Sequence, residues 1–281
     1  MLNIKITVDS TCDLSKEILE LHAIDVVPLY AVLGDKSFRD GVEVYPDDIY
    51  TFVSEKNVLP KTSAGSVDDY IQVFKKYVDN GMEVIHFNIS SEMSSSHQNA
   101  VIAANEVGNV HVVDSRNLST GSGLLVLDAI DMSKEGMSAA DIADKIRARV
   151  GLVRASFVVD NLDYLRMGGR CSSVTALGAN LLKIKPRIDV ADGKMGMGSK
   201  YRGQYDKVLI KYVQDILSVP NINKQRVFVT HTKCDSKIVE DVINEVKRLV
   251  EFEEVYETTA GCVITSHCGP NTLGVLFEIA E

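Results

Sequence analysis

Short apolar runs alternate with longer stretches of helical spacing through the first 150 residues, and this order limits the fold more than any other feature. IKITV at 4–8 reads as a buried strand, and so do residues 82–89 and 110–113. A longer apolar run covers 26–33. Helical spacing appears at 14–21, 47–53, 67–78, 97–107, 124–132 and from Ser138 to about Val150. Ser66 with Asp69 three residues on resembles a capping box, and Ser138 can cap the helix it precedes. Strand–helix alternation of this kind predicts a parallel sheet covered by helices.

The second half is built differently. Strands are expected at 156–159, 226–230, 255–258 and 273–279, with helices at 172–184, 204–217 and 236–250. Arg187 to Val190, the turn Ala191-Asp192-Gly193 and the stretch after it read as a hairpin. The expected fold is α/β with two packed domains. Residues 1–150 form an N-terminal parallel sheet flanked by helices, and residues 151–281 a C-terminal mixed sheet with helices.

Apolar residues make up 45% of the 281 and charged residues 25%, the composition of a soluble globular chain. The net charge of −9 argues against nucleic-acid binding, which needs a basic surface. No apolar stretch is long enough to span a bilayer, and the first residues lack a signal-peptide core. The five cysteines are scattered and include no CxxC pair, which fits a reducing cytoplasm better than disulfides or a cysteine-rich zinc site. Charge is unevenly spread. Residues 161–210 carry nine Lys and Arg against four Asp, a balance of +5, while the remainder carries 21 against 35, a balance of −14. A basic segment in an acidic protein is either a docking surface or an ordinary solvated face.

Polar residues collect at strand ends. Asp9-Ser10-Thr11 follows the first strand, Asp114-Ser115 a later one, and Ser90-Ser91-Glu92-Met93-Ser94-Ser95-Ser96 the strand at 82–89. Open parallel sheets bind ligands at the carboxyl ends of their strands, and the serine run also opens a helix, whose free N–H groups suit an anion. Each serine taken singly fits a cap or turn. Three in a row exceed what one cap requires. Thr62-Ser63 lies between two helices, and His267 beside a Gly-Pro turn between two apolar stretches. The chain has no GxSxG elbow, no HExxH and no GxGxxG. In 193–200 the glycines do not form a phosphate loop, because Ser199 follows Gly198. A cofactor therefore has no obvious cradle. On residues alone, two readings stay open: a hydrolase using Ser94 and His267 with Asp114 as orienter, and a sugar- or nucleotide-binding regulator, suggested by the parallel sheet.

A series of short segments in order resembles the DegV family, the fatty-acid-binding proteins of bacterial fatty acid kinase systems. These are Thr7-Val8-Asp9-Ser10-Thr11 with Asp13-Leu14, Arg39-Asp40-Gly41, Lys61-Thr62-Ser63, and Ile89-Ser90-Ser91-Glu92-Met93-Ser94 with Gln98. Asp114-Ser115 with Gly121 and Gly123 follows. Next come the most specific stretch, from Leu162 to Arg170 (LDYLRMGGR), then Leu182-Lys183-Ile184-Lys185-Pro186 with Asp192-Gly193, and finally His267, Gly269 and Pro270. The resemblance implies a fatty acid whose carboxylate is held by Thr62, Ser94 and His267, with Ser63, Ser95 and Ser96 as further head-group contacts. It implies no cofactor, no metal and no catalytic residue. The partner would be a separate ATP-dependent fatty acid kinase, with at most transient membrane contact. Arg170, Arg166 and Arg202 in the basic segment are the docking candidates. The sequence departs from the family pattern where Ala64-Gly65 replaces Gln-Pro, Ser95-Ser96-His97 replaces Gly-Thr-Tyr, Cys268 replaces Thr and Asn271 replaces Gly.

Overall fold

The computed structural model describes residues 3–172 and 184–280. The helix expected at 172–184, and Lys183 with it, falls almost wholly outside them.

Four strands form an all-parallel sheet. They are β1 (Ile4–Asp9), β2 (Asp25–Val27), β6 (Glu83–Asn88) and β7 (Val110–Asp114), in the order β2-β1-β6-β7. The run at 26–33 does not form one strand. It breaks at Pro28, whose ring blocks the ladder N–H. Beyond the break the chain leaves the parallel sheet and starts a small antiparallel one. Its strands are β3 (Tyr30–Leu33), β4 (Lys36–Arg39) and β5 (Lys61–Ser63), in the order β4-β3-β5. Helices α1 (Lys16–Leu21), α2 (Pro46–Lys56), α3 (Val67–Val78) and α4 (Ser96–Val107) connect these strands. The capping box of α3 forms as its residues imply: the Asp69 amide donates to Ser66 Oγ at 3.2 Å, and the Ser66 amide to the Asp69 carboxylate at 2.7 Å.

Helix α5 (Thr120–Lys134) starts four residues earlier than the apolar spacing suggests and is buried continuously from Thr120 to Ile130. It lies between the parallel sheet and a second sheet. Leu124, Leu125 and Leu127 share one core with Ile6, Val8, Ile85 and Phe87 on one side, and with Val153, Ala155, Phe228 and Leu276 on the other. Arg226 fastens its C-terminal half, pairing with Asp128 at 3.1 Å while also holding Glu254 at 2.8 Å. After α6 (Ala139–Arg149), strands β8 (Val153–Val159), β9 (Lys185–Ala191), β10 (Lys194–Tyr201), β11 (Ile222–His231), β12 (Glu254–Thr259) and β13 (Thr272–Ile279) build a six-stranded sheet. Its order is β10-β9-β8-β13-β11-β12. Only β11 and β12 run parallel, so the sheet is mixed. The expected hairpin is β9–β10, turning at Asp192-Gly193, where both residues have positive φ.

The helices of this half are α7 (Asp163–Gly168), α8 (Tyr205–Ile216), α9 (Ser236–Leu249) and α10 (Cys262–Cys268). The helical spacing of Ile238, Val242, Val246 and Leu249 predicts these four as the apolar face of α9. The buried set is Val239, Val242 and Val246, with Asp235 accepting from the Lys237 amide at 2.8 Å as N-cap. Among the described residues no helix is long and apolar enough to cross a membrane. None of the five cysteines is in a disulfide.

Candidate functional site

Three segments meet between the sheets. Strand β5 carries Thr62, the loop after β6 carries Ser94, and α10 carries His267. His267 sits in the last turn of a short helix, just before the Gly269-Pro270 turn that the sequence places beside it. Thr62 Oγ and His267 Nε2 lie 2.8 Å apart. Thr62, Ser63, Ser94, Arg170 and His267 all line one cavity of about 50 Å³. The rest of its wall is mostly apolar: Leu29, Ile89, Met93, Leu118, Met195, Val263, Ile264 and Cys268, with Ala64. A second cavity of about 30 Å³ shares Leu118, Ile264 and Cys268 and continues past Phe157, Gly274 and Leu276. Two larger clefts, of about 450 and 760 Å³, are open and charged, and neither is lined by Thr62, Ser94 or His267.

The imidazole of His267 is kept neutral. Burial pushes its pKa down to about 4, and the Arg170 guanidinium acts in the same direction. Its Nδ1 is buried without a hydrogen-bond partner. The ring has room because position 168 has no side chain: a Cβ there would lie 2.3 Å from Nδ1. Gly269, at φ +71°, does the same for α7, since a Cβ there would fall 2.5 Å from the Tyr164 ring. Each of α7 and α10 is therefore followed, or ended, by a bare Cα against a ring of the other.

The serine run divides its work. Ser94 lines the cavity, its Oγ is hydrogen-bonded to Ser96 Oγ at 2.8 Å, and it accepts from the Ser96 amide at 3.2 Å. Ser96 is fully buried and reaches Ser94 rather than the cavity, and Ser95 is an exposed first residue before α4. Neither lines the cavity. Ser90 Oγ donates to the Gly193 carbonyl at 2.7 Å, and Lys194 pairs with Glu92 at 3.2 Å. The serine loop is thus tied to the β9–β10 hairpin, which delivers Met195 to the cavity. At the loop's start, Asp9 accepts from the Ile89 amide at 2.8 Å.

Arg170 is exposed and donates to the Gly168 carbonyl at 2.9 Å. Arg166 is exposed and pairs with Asp163 at 3.3 Å, and Arg202 is exposed just past β10. The hydrolase chain does not assemble. His267 Nε2 meets Thr62 rather than Ser94, and Asp114 accepts from the backbone amides of Ser91 (3.2 Å) and Arg116 (2.9 Å). Among the described residues no group of His, Cys, Asp and Glu could hold a metal ion. Spacing did not single out Leu118, Met195 or Ile264 as lining residues, because they arrive from three distant segments.

The comparisons agree with this architecture. The model described as "Uncharacterised protein, DegV family" matches residues 3–280. A fatty acid-binding protein of Thermotoga maritima is 33% identical over 290 residues, spanning 100% of this chain and 99% of the relative. A solved DegV lipid-binding protein of Thermotoga maritima superposes with a TM-score of 0.88 at 32% identity, covering 100% of this chain and 99% of that one. A stearic acid-binding protein of Eubacterium ventriosum superposes at 0.85 and 30% identity, covering 99% and 98%. The chain belongs to the DegV family.

Proposed function

We propose that this protein binds a long-chain fatty acid, with its carboxylate at Thr62, Ser94 and His267 and its tail along Ile89, Met93, Leu118, Met195 and Ile264. The observation that carries this reading is a small polar set at one place on an otherwise apolar cavity. A buried carboxylate is costly without donors, and hydroxyls with an imidazole offset that cost. About 14 methylenes at ~0.8 kcal/mol each give a gross transfer term of roughly 11 kcal/mol. The tail thus dominates affinity and the head group sets orientation. Sites for ligands of this size usually occupy about 300–1,000 Å³. The wall of Leu118, Ile264 and Cys268 between the two small cavities must therefore part to admit a chain.

The same reading makes the protein a non-catalytic subunit in the cytoplasm. A separate kinase would transfer the terminal phosphoryl group of ATP to the carboxylate, giving an acyl phosphate and ADP. Two features support this: the sequence has no nucleotide loop, and Arg170, Arg166 and Arg202 are exposed in the basic segment. Arg170 also lines the cavity, so its charge serves the carboxylate as well as a partner. We further take residue 150 as the boundary between an N-terminal domain, 1–150, and a C-terminal domain, 151–281. Native mass spectrometry of protein purified without added lipid tests the ligand. A co-purifying C14–C18 fatty acid is expected, and a polar metabolite in its place would overturn the reading. Supplying a kinase of such a system with ATP tests the second step. Arg166→Glu and Arg202→Glu should keep the lipid and lose acyl-phosphate formation, and unchanged phosphorylation would remove them from the docking surface.

A further inference from the structure

The helix that carries His267 has no cap of its own. α10 is seven residues long, and a helix this short is not stable by itself. The residue before it is Gly261, which offers no side-chain acceptor for the free N–H groups of the first turn. Two buried acids from distant segments take that place. Asp13 accepts from the Gly261 amide at 2.8 Å, across 248 positions. Asp40 accepts from the Cys262 amide at 2.8 Å and from the Val263 amide at 3.3 Å, across more than 220 positions. A Cβ at Gly261 would sit 3.3 Å from an oxygen of each, so the two acids flank that Cα.

Both acids are fixed in turn. Ser119 Oγ donates to Asp13, and Ser10 Oγ to Asp40 at 3.0 Å. Asp40 directly follows β4, and its amide donates to the Leu29 carbonyl at 2.8 Å. The small antiparallel sheet therefore holds α10 at both ends. Asp40 grips the first turn, and Thr62 on β5 meets His267 in the last. A cap serving only the helix normally comes from the residue beside it. Here one acid, Asp40, follows the sheet that supplies His267's partner, and the other, Asp13, follows β1 of the parallel sheet.

We propose that Asp13 and Asp40 are positioning residues for the head-group site, clamping the start of α10 so that the His267 imidazole meets Thr62. The consequence for lipid binding rests on the fatty-acid reading above. The consequence for the imidazole does not.

The test follows the ring nitrogens of His267 by ¹⁵N NMR across pH, with the signal assigned by its loss in His267→Ala. His86 is the internal control. It is fully buried in the parallel sheet, bonds to Thr7 at 2.8 Å and has its pKa pushed down to about 3 by burial. In Asp40→Ala and Asp13→Ala the His267 titration should move up toward the ordinary range while that of His86 stays put. Fatty acid affinity should fall roughly tenfold. Asp40→Asn keeps one acceptor oxygen and should lie between wild type and Asp40→Ala, and it carries the test if the alanine variants do not fold. Wild-type titration of His267 in folded Asp40 variants would overturn the proposal, as would equal shifts of His86 and His267. If the wild type binds no fatty acid yet His267 alone shifts, the lipid reading fails and the clamp stands.

Discussion

Thr62 Oγ and His267 Nε2, 205 positions apart in the chain, are in hydrogen-bond contact at 2.8 Å on the wall of the cavity. The imidazole there is neutral at pH 7, because burial holds its pKa near 4. A carboxylate brought beside it favours the imidazolium form, so binding should take up a proton in mildly acidic solution. Calorimetry at about pH 6, in buffers of different ionisation enthalpy, should show this uptake in the wild type and not in His267→Ala. Uptake that persists in the variant would assign the proton to another group. Thr62→Val keeps the shape and removes the hydroxyl, and should weaken binding by about 1–3 kcal/mol.

Gly168 is a second handle on the same ring. A methyl group added there would occupy the place of His267 Nδ1. Either α7 or the imidazole must move, and overpacking of this kind costs about 1–3 kcal/mol. Gly168→Ala should lower the melting temperature modestly and weaken fatty acid binding. If Gly168→Ala melted and bound lipid as the wild type does, the contact between α7 and His267 would carry no weight.

The tail is expected to pass the wall of Leu118, Ile264 and Cys268 shared by the two cavities. Ile264→Phe adds bulk to that wall and should shift preference toward shorter acids. Thermal-shift measurements with C10, C14 and C18 acids should show the long chains losing most. A uniform loss over all three would place the tail elsewhere.

The parts of the fold that could be read from residues are those whose signal is local. β1 and β6 are buried on both faces and so appear as near-continuous apolar runs, and β7, partly buried at the sheet edge, keeps a shorter one. α3 announces itself through Ser66 and Asp69. α10 could not be read this way. Cys262 to Ser266 and Cys268 are all buried, so the helix has no polar face and no period. Its caps, Asp13 and Asp40, lie at the other end of the chain. The split at Pro28 is not legible for a related reason: both pieces of 26–33 are apolar, and only their partners distinguish them. At the site, spacing alone left His267 and the serines open to several roles. Family resemblance singled out Thr62, Ser94 and His267, and the fold puts all three on one cavity. Ser96 illustrates the limit, since its position in the run cannot tell a cavity-facing hydroxyl from one that bonds Ser94.

Asp13 should give the protein an unusual dependence on pH. Burial pushes its pKa up to about 8, and the neighbouring Asp40 and Asp9 push the same way. The bonds from Ser119 and the Gly261 amide oppose this without reversing it. Buried Cys12 and Cys268 also face this acid, with their own thiols pushed up. In the unfolded chain the Asp13 carboxyl titrates near 3.8. Between these values the folded state holds a proton that the unfolded state has lost. The contribution of this group to stability is therefore complete below about pH 4 and is lost as pH rises toward 8, by up to about 1.4 kcal/mol per pH unit. Asn at position 13 copies the protonated acid: its oxygen accepts from Gly261, and its amide can donate to Ser119. Asp13→Asn should match the wild type below about pH 4 and become progressively more stable than it as pH rises to about 8. Chemical denaturation at three or four pH values measures that difference directly. Parallel stability curves for the two proteins would show that Asp13 is ionised in the fold, and that the Gly261 amide is held by a charge.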